Sequence, residues 1–447
     1  MTLKDLEKKS IVILGFGAEG QATYEFLRKR WPTKALSIAD RRAIAEFPED
    51  VAGRLQSDPS LSLNLGARYL DAIDPYSCEV IIKTPGIPAS VDAIVRARKG
   101  GCALTSHSQI FLSNYPRGKV IGVTGTKGKS TTASLIHHIL NRAGIAAELV
   151  GNIGQPPLAR IDKAPAGAFF VHEFSSHQLA EIQTSPHIAI LLNIVPEHLD
   201  YYANFDEYVS AKENITRFQT ADDVLIFNAG YPIPTAIAGR SKAALKPFSV
   251  DDPIDGIDAG EIPLPGKFNV QNVMAAVLAA SVCGAPREAI RNAVLSFQAL
   301  PHRLEPVGTY RGITFYNDSI ATVPAATLAA LEALGPNVQT LLLGGHERNL
   351  DFTELGAQLP ENIKTVILFP RTGTRIWQSI ELHSKNAILP AAFFVRDMEQ
   401  AIKIAYERTE PGKICLLSPA SPSFGAFKDY RERGNLFTAS VRMLSSS

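Results

Sequence analysis

The sequence predicts an α/β protein of three consecutive domains, and three observations predict it. Short apolar runs alternate with stretches of helical length from one end of the chain to the other. Two glycine-rich loops, GFGAEG at 15–20 and GTKGKS at 125–130, each follow an apolar run and precede a helical segment. Turn-rich breaks at 114–118 (NYPRG) and near 304–308 divide the alternation into segments 1–113, 114–306 and 307–447. A Rossmann-like N-terminal domain, a central P-loop ATPase-type parallel sheet and a C-terminal Rossmann-like α/β domain are expected.

In the first segment, SIVIL at 10–14 runs into Gly15, and a helix follows through YEFL at 24–27. ALSIA at 35–39 ends at Asp40, and VIIK at 80–83 ends in the Thr84-Pro85-Gly86 turn. The second segment restarts with VIGV at 120–123. AFFV at 168–171 and IAILLNIV at 188–195 are almost wholly apolar, as strands buried on both faces should be. NVQNVMAAVLAA at 269–280 reads as a helix. In the last segment, TLLL at 340–343, TVIL at 365–368 and ICLL at 414–417 read as strands.

A chain of 447 residues with 45% hydrophobic and 20% charged residues is an ordinary globular protein. Its formal net charge of +1 offers no field for nucleic acid or a membrane surface, so an anionic ligand must be gripped locally. Cys78, Cys102, Cys283 and Cys415 have no CxxC or zinc-like spacing, and reduced thiols are expected. No signal segment and no spanning run is visible, so a cytoplasmic monomer is expected.

The loop 125–130 has the form of a phosphate cradle. Backbone N–H groups of Gly125, Thr126, Lys127 and Gly128 can face phosphate oxygens, Lys129 supplies charge, and the Ser130 hydroxyl suits Mg²⁺. Thr131 opens the helix, whose positive end adds to the site. Val123 stands where the longer P-loop pattern has glycine, which leaves the shorter form G-x-x-G-K-S. ATP is the expected ligand. GFGAEG, with Gly17 at its centre and Asp40 twenty residues past Gly20, fits NAD and another diphosphate equally well. Arg41 and Arg42 either meet phosphates or form a solvated turn.

Glu173 closes a strand beside the P-loop segment and suits Mg²⁺. HEFSSH at 172–177 places its histidines five apart, which argues against a zinc helix. Glu197 and His198 follow the next strand, where open α/β sheets bind ligands. On spacing alone, Lys212 in YVSAKENI reads as a surface lysine.

Together GTKGKS, EFSSHQL, NIVPEHLD, YVSAKENI, GKFNVQNVMAA, PHRLEPVG, FYNDSIAT and LLLGGHERNLDF resemble the Mur ligase family, ATP-dependent amide ligases that build the peptidoglycan stem peptide. The N-terminal glycine loop and LLSPASPSFGAFKDYRERG at 416–434 are most similar to members adding D-glutamate to UDP-N-acetylmuramoyl-L-alanine. The resemblance implies that Lys129 and Ser130 serve the γ-phosphate and Mg²⁺. It makes Glu173 and His198 magnesium ligands and Lys212 a carbamylated ligand, which overrides the surface reading. Asn269, Arg303 and Asp318 fall on ATP-contacting positions, and Asn152 on one near the UDP-sugar. Gly17, Asp40, Arg41, Arg42, Thr84 and Gly86 would hold the uridine diphosphate. Thr322, Arg348, Ser423, Phe424 and Tyr430 would form the glutamate pocket.

Two departures stand in that pocket. Members using D-glutamate commonly carry lysine at the positions of Ile320 and Arg348. GFGAEG with QATYEFL is also similar to a variant subfamily that adds L-glutamate. An NAD-dependent oxidoreductase would leave the P-loop unexplained, and a regulatory nucleotide binder would leave Glu173, His198 and Lys212 without work. Folylpolyglutamate synthase, a related ligase, lacks the Rossmann-like N-terminal domain.

Overall fold

The structure, a computed structural model, describes residues 1–74, 76–197, 201–425 and 427–445. The chain separates into two compact units, Met1–Glu261 with Val270–Ser296, and Ile262–Asn269 with Phe297–Ser447.

The first unit holds two sheets. One contains β1 (Ile11–Leu14), β2 (Leu36–Asp40), β3 (Leu61–Leu65), β4 (Val80–Lys83) and β5 (Ala103–Ser106) in the order β3-β2-β1-β4-β5. All of its pairings are parallel. Strand order therefore reverses between β1 and β4, and the glycine loop after β1 and the Thr84-Pro85-Gly86 turn after β4 both lie at that switch point. The approach there is close: a Cβ on Gly15, whose φ is +88°, would lie 2.0 Å from Thr84 Oγ1.

The second sheet contains β6 (Val120–Thr124), β7 (Ala147–Gly151), β8 (Phe169–Glu173), β9 (Ile188–Leu191), β10 (Val224–Asn228) and β11 (Ala244–Phe248). Its order is β11-β10-β9-β6-β8-β7, again parallel. β6 is central and buried at every residue, which is why it carries no alternation in sequence. Val123, the apparent defect in the phosphate loop, is a strand residue paired with Glu173 and Ile190. One continuous core joins the two sheets, with Phe111 packed on Tyr115 and Phe170 at ring-centre separations of 5.5 and 5.0 Å.

The second unit is built on β12 (Glu305–Tyr310), β13 (Ile313–Asn317), β14 (Val338–Leu343), β15 (Thr365–Leu368), β16 (Ala391–Phe394) and β17 (Ile414–Leu417). Their order is β12-β13-β17-β14-β15-β16, parallel except for the β12–β13 hairpin. Apolar clusters cover both faces. The loops after β13, β14 and β17 leave the same end of the sheet.

One strand is shorter than its apolar run predicts. β9 stops at Leu191 rather than at 195, because Asn193 turns out of the sheet to bond the phosphate loop.

Candidate active site

The phosphate loop hangs between β6 and the helix Lys129–Arg142, and Gly128 caps that helix at φ +86°. This conformation suits glycine, and a Cβ would also meet Asn272 Oδ1 at 2.2 Å. Asn193 clamps the loop: its Oδ1 accepts from the Lys127 amide at 2.9 Å, and its Nδ2 donates to the Lys127 carbonyl at 3.1 Å. The Lys127 side chain points away into an ion pair with Glu197 at 2.7 Å. Thr126 Oγ1 shares a hydrogen bond of 2.9 Å with Tyr208 OH and donates to the Val195 carbonyl. Ser130 is half-buried and Thr131 buried at the helix start.

Lys129 Nζ donates to the carbonyls of Gly125 (3.0 Å) and Thr126 (2.9 Å). Lys212 Nζ reaches the same Gly125 carbonyl at 2.8 Å. Lys212 is therefore no surface residue: Tyr208, Ala211, Lys212 and Ile215 form the buried stripe of the helix Phe205–Arg217. That i, i+3, i+4, i+7 spacing was present in the sequence, but lysine in it reads as a solvated position. Burial is the main cause holding the Lys212 amine well below the usual lysine range. The charge of Lys129 adds to the effect, against Glu197 and Glu173.

Glu173 ends β8 and is fully buried. Its Oε1 accepts from Asn152 Nδ2 at 3.0 Å, whereas Oε2 has no hydrogen-bond partner among the described residues. A buried carboxylate oxygen left open is costly unless a donor or cation fills it. Mg²⁺ typically takes one or two carboxylates, waters and phosphate oxygens, so Glu173 and Ser130 beside a phosphate loop fit that ion. His198 lies outside the described residues. No cluster of three or more His, Cys, Asp or Glu that could hold a metal occurs among the described residues.

A cavity of about 570 Å³ connects these groups to the first sheet. It is bordered by Lys129, Lys212 and Asn152 on the phosphate-loop side and by Ala18, Glu19 and Gly86 on the other. Of the first-sheet candidates, Gly17 caps the helix Ala18–Arg30, and the Thr84 hydroxyl donates to the Leu14 carbonyl. Arg41 is exposed. Asp40 is occupied within the fold: Oδ2 accepts from the Phe16 amide at 2.6 Å, and Oδ1 from the Arg42 amide and Nε at 2.9 and 3.0 Å. Burial works to raise the Asp40 carboxyl, but the Arg42 guanidinium and the two amides together hold it below the usual range.

Asn269, Arg303 and Asp318 belong to the second unit. Asn269 Nδ2 donates to the Pro265 carbonyl at 2.7 Å. Asp318 accepts from Ser418 Oγ (2.9 Å) and the Leu304 amide (3.2 Å), and burial pushes its carboxyl up to about 7. In the same unit Thr322, Arg348 and Ser423 sit on the loops after β13, β14 and β17, Arg348 exposed and Ser423 buried. Phe424 is exposed and Tyr430 opens the helix Tyr430–Leu444. Arg433 in that helix is fully buried. Its guanidinium donates to the carbonyls of Ser319 (2.8 Å) and Ser421 (3.0 Å) and to Ser319 Oγ (3.0 Å), which ties together the loops after β13 and β17.

The sequence reading passed over Glu19, Gln178, Asn193, Tyr208 and Asn272. Only Glu19 and Asn193 had a local signal, the first inside the glycine loop and the second a polar residue in an apolar run.

The chain resembles known proteins in sequence and in fold. The Mur ligase middle domain matches residues 123–255, and the Mur ligase glutamate ligase domain matches 302–421. A UDP-N-acetylmuramoylalanine–D-glutamate ligase from Symbiobacterium thermophilum is 34% identical, over 98% of this chain and 99% of its own. A UDP-N-acetylmuramoyl-L-alanine–L-glutamate ligase from Xanthomonas euvesicatoria is also 34% identical, over 98% and 96%. Among solved structures, UDP-N-acetylmuramate-alanine ligase from Thermotoga maritima shares the fold at a TM-score of 0.59 and 17% identity, covering 98% of this chain and 100% of its own.

Proposed function

The chain belongs to the Mur ligase family, and from that premise we propose that it joins D-glutamate to UDP-N-acetylmuramoyl-L-alanine at the cost of ATP. The observation that carries the reading is the convergence of Lys129 and Lys212 on the Gly125 carbonyl, in a cavity that extends to the first glycine loop.

In this reading the phosphate loop holds ATP through the amides of residues 125–131, with Lys129 drawn from its carbonyls onto the γ-phosphate. Asn269, Arg303 and Asp318 would serve the rest of the nucleotide. Glu173, Ser130, His198 and a carbamylated Lys212 would hold Mg²⁺, which supplies charge neutralisation for the transferred phosphoryl group. Lys212 is suited to carbamylation because burial holds its amine well below the usual lysine range, which favours the neutral, nucleophilic form. The neutral amine would attack CO2: an N–C bond forms, one C=O π bond opens onto oxygen, and one proton is released, which leaves an anionic carbamate.

An oxygen of the L-alanyl carboxylate attacks the γ-phosphorus, the bond to ADP breaks, and an acyl phosphate forms. The neutral glutamate amine then attacks the acyl carbon. The C–N bond forms, phosphate departs with the C–O bond, and the amine proton passes to solvent. The uridine diphosphate would lie against Gly17, Asp40, Arg41, Arg42, Thr84 and Gly86, with Asn152 near the sugar. Thr322, Arg348, Ser423, Phe424 and Tyr430 would receive glutamate. We place this reaction in the cytoplasm, carried out by a monomer on small-molecule substrates. No described helix is long and apolar enough to cross a membrane.

L-Glutamate is the second reading, favoured by the equal identity to an L-glutamate ligase and by Ile320, which cannot pair with a carboxylate. Phosphate release with ATP, Mg²⁺, the UDP-sugar and each glutamate isomer separately tests both. Release with D-glutamate is expected; release with L-glutamate alone transfers the chain to the second reading, and release with neither overturns the ligase.

A further inference from the structure

In the second unit's sheet, β17 and β15 flank β14 on opposite sides. The chain leaving β14 turns toward β15. The chain leaving β17 runs the other way, to the helix Tyr430–Leu444, where the Gly434 carbonyl accepts from Asn317 of β13 at 3.1 Å. Strand order therefore reverses between β17 and β14, and ligands of open α/β sheets lie in the crevice at such a reversal. At its base the two loops press together, since a Cβ on Gly345 would meet the Pro422 carbonyl oxygen at 2.2 Å. A ligand must sit above them, among side chains.

Arg371, in the loop after β15, reaches across that crevice. Its guanidinium lies 3.2–3.3 Å from where a Cβ on Gly425 would stand, in the loop after β17, although β14 separates the two strands. Nη1 is 3.4 Å from His346 Nδ1, in the loop after β14. Three loops thus meet at one exposed guanidinium. Arg371 also has φ +75°, a costly conformation that persists only where the surroundings over-determine it. The next residue supplies them: Thr372 Oγ1 accepts from the Gly345 amide at 2.9 Å and shares a hydrogen bond of 2.9 Å with Ser421 Oγ.

Charge is the second observation. The acid of the loop after β14, Glu347, is already taken by Arg375 at 2.6 Å. Neither Arg371 nor Arg348, two positions past His346, makes an ion pair among the described residues. A guanidinium offers five N–H donors in a planar fork that matches a carboxylate. Two such forks at one crevice suit an anion with two carboxylates. We propose that Arg371 is a specificity-determining residue that pairs with one carboxylate of the incoming amino acid, while Arg348 takes the other. The proposal rests on the glutamate reading given above, for either isomer. It names the cation that makes up for Ile320, which cannot pair with a carboxylate.

The test is steady-state phosphate release by the full chain and by its Arg371→Gln and Arg371→Lys variants. Glutamine bears the same backbone strain as arginine, so the melting temperature should hold and verify an intact fold. Arg371→Gln should raise KM for glutamate about ten-fold or more, with kcat and the KM values for ATP and the UDP-sugar little changed. Arg371→Lys, which keeps the charge but not the fork, should recover part of the loss. An unchanged KM for glutamate overturns the proposal. An equal rise in all three KM values also overturns it, since Arg371 would then be a loop-shaping residue. If the wild type releases phosphate with neither isomer of glutamate, the glutamate reading fails first and the proposal with it.

Discussion

Lys212 and Lys129 direct their amines at a single acceptor, the Gly125 carbonyl, at 2.8 and 3.0 Å. Two ammonium groups on one carbonyl in a buried setting are mutually unfavourable, which disfavours the charged form. Burial first, and then the Lys129 charge, lower the Lys212 amine and favour its nucleophilic form.

Lys212→Ala should lose activity by about 100-fold or more, the order found when a group stabilising transition-state charge is removed. Bicarbonate with a short carboxylic acid should restore part of it, because the acid replaces the missing anion. Phosphate release measured with and without the additives checks this, and full activity in the variant would refute the role of Lys212.

Glu173→Gln should separate stability from activity. The substitution removes a buried charge with an open oxygen and keeps an acceptor for Asn152, so the melting temperature should hold or rise. Activity should fall by on the order of 100-fold, with a higher Mg²⁺ requirement in a magnesium titration.

Gly128→Ala should destabilise the first unit. The residue has φ +86°, a conformation that costs a non-glycine residue about 1–3 kcal/mol, and the new methyl group would displace Asn272 from Thr132. Chemical denaturation should show the loss, and ATP affinity should drop with it.

Asp318 sets a pH dependence in the second unit. Its folded carboxyl lies at about 7, against 3.8 for the ordinary side chain, so between those values the folded state holds a proton that the unfolded state has released. Its contribution is present at acid pH and declines as pH rises from about 4 to about 7, at up to ~1.4 kcal/mol per pH unit. Denaturation of the wild type and Asp318→Asn at pH 5 and pH 8 should show the variant gaining relative stability at pH 8.

Arg433→Lys should not substitute for arginine. The guanidinium bonds carbonyls on two loops at once, a fork that an ammonium cannot reproduce. Melting temperature should fall, and KM for glutamate should rise more than KM for ATP, because those loops carry Thr322 and Ser423.

Much of the fold was legible because parallel strands buried on both faces leave uninterrupted apolar runs, and β4, β15 and β17 coincide with the runs that predict them. The glycine loops were legible because the chain approaches too closely for a side chain at Gly15, Gly20, Gly125 and Gly128. The edge strand β11, exposed over most of its length, and the β12–β13 hairpin left no such signature. Within the site, the sequence by itself determined the chemistry available: a phosphate loop, a strand-end carboxylate and a lysine eleven residues after Tyr201. Only the tertiary structure decided the burial and direction of those groups, since both depend on long-range packing. The helix Phe205–Arg217 turns Lys212 inward onto Gly125, and the packing of the two sheets in the first unit brings Gln178 to Glu19, 159 positions apart in the chain.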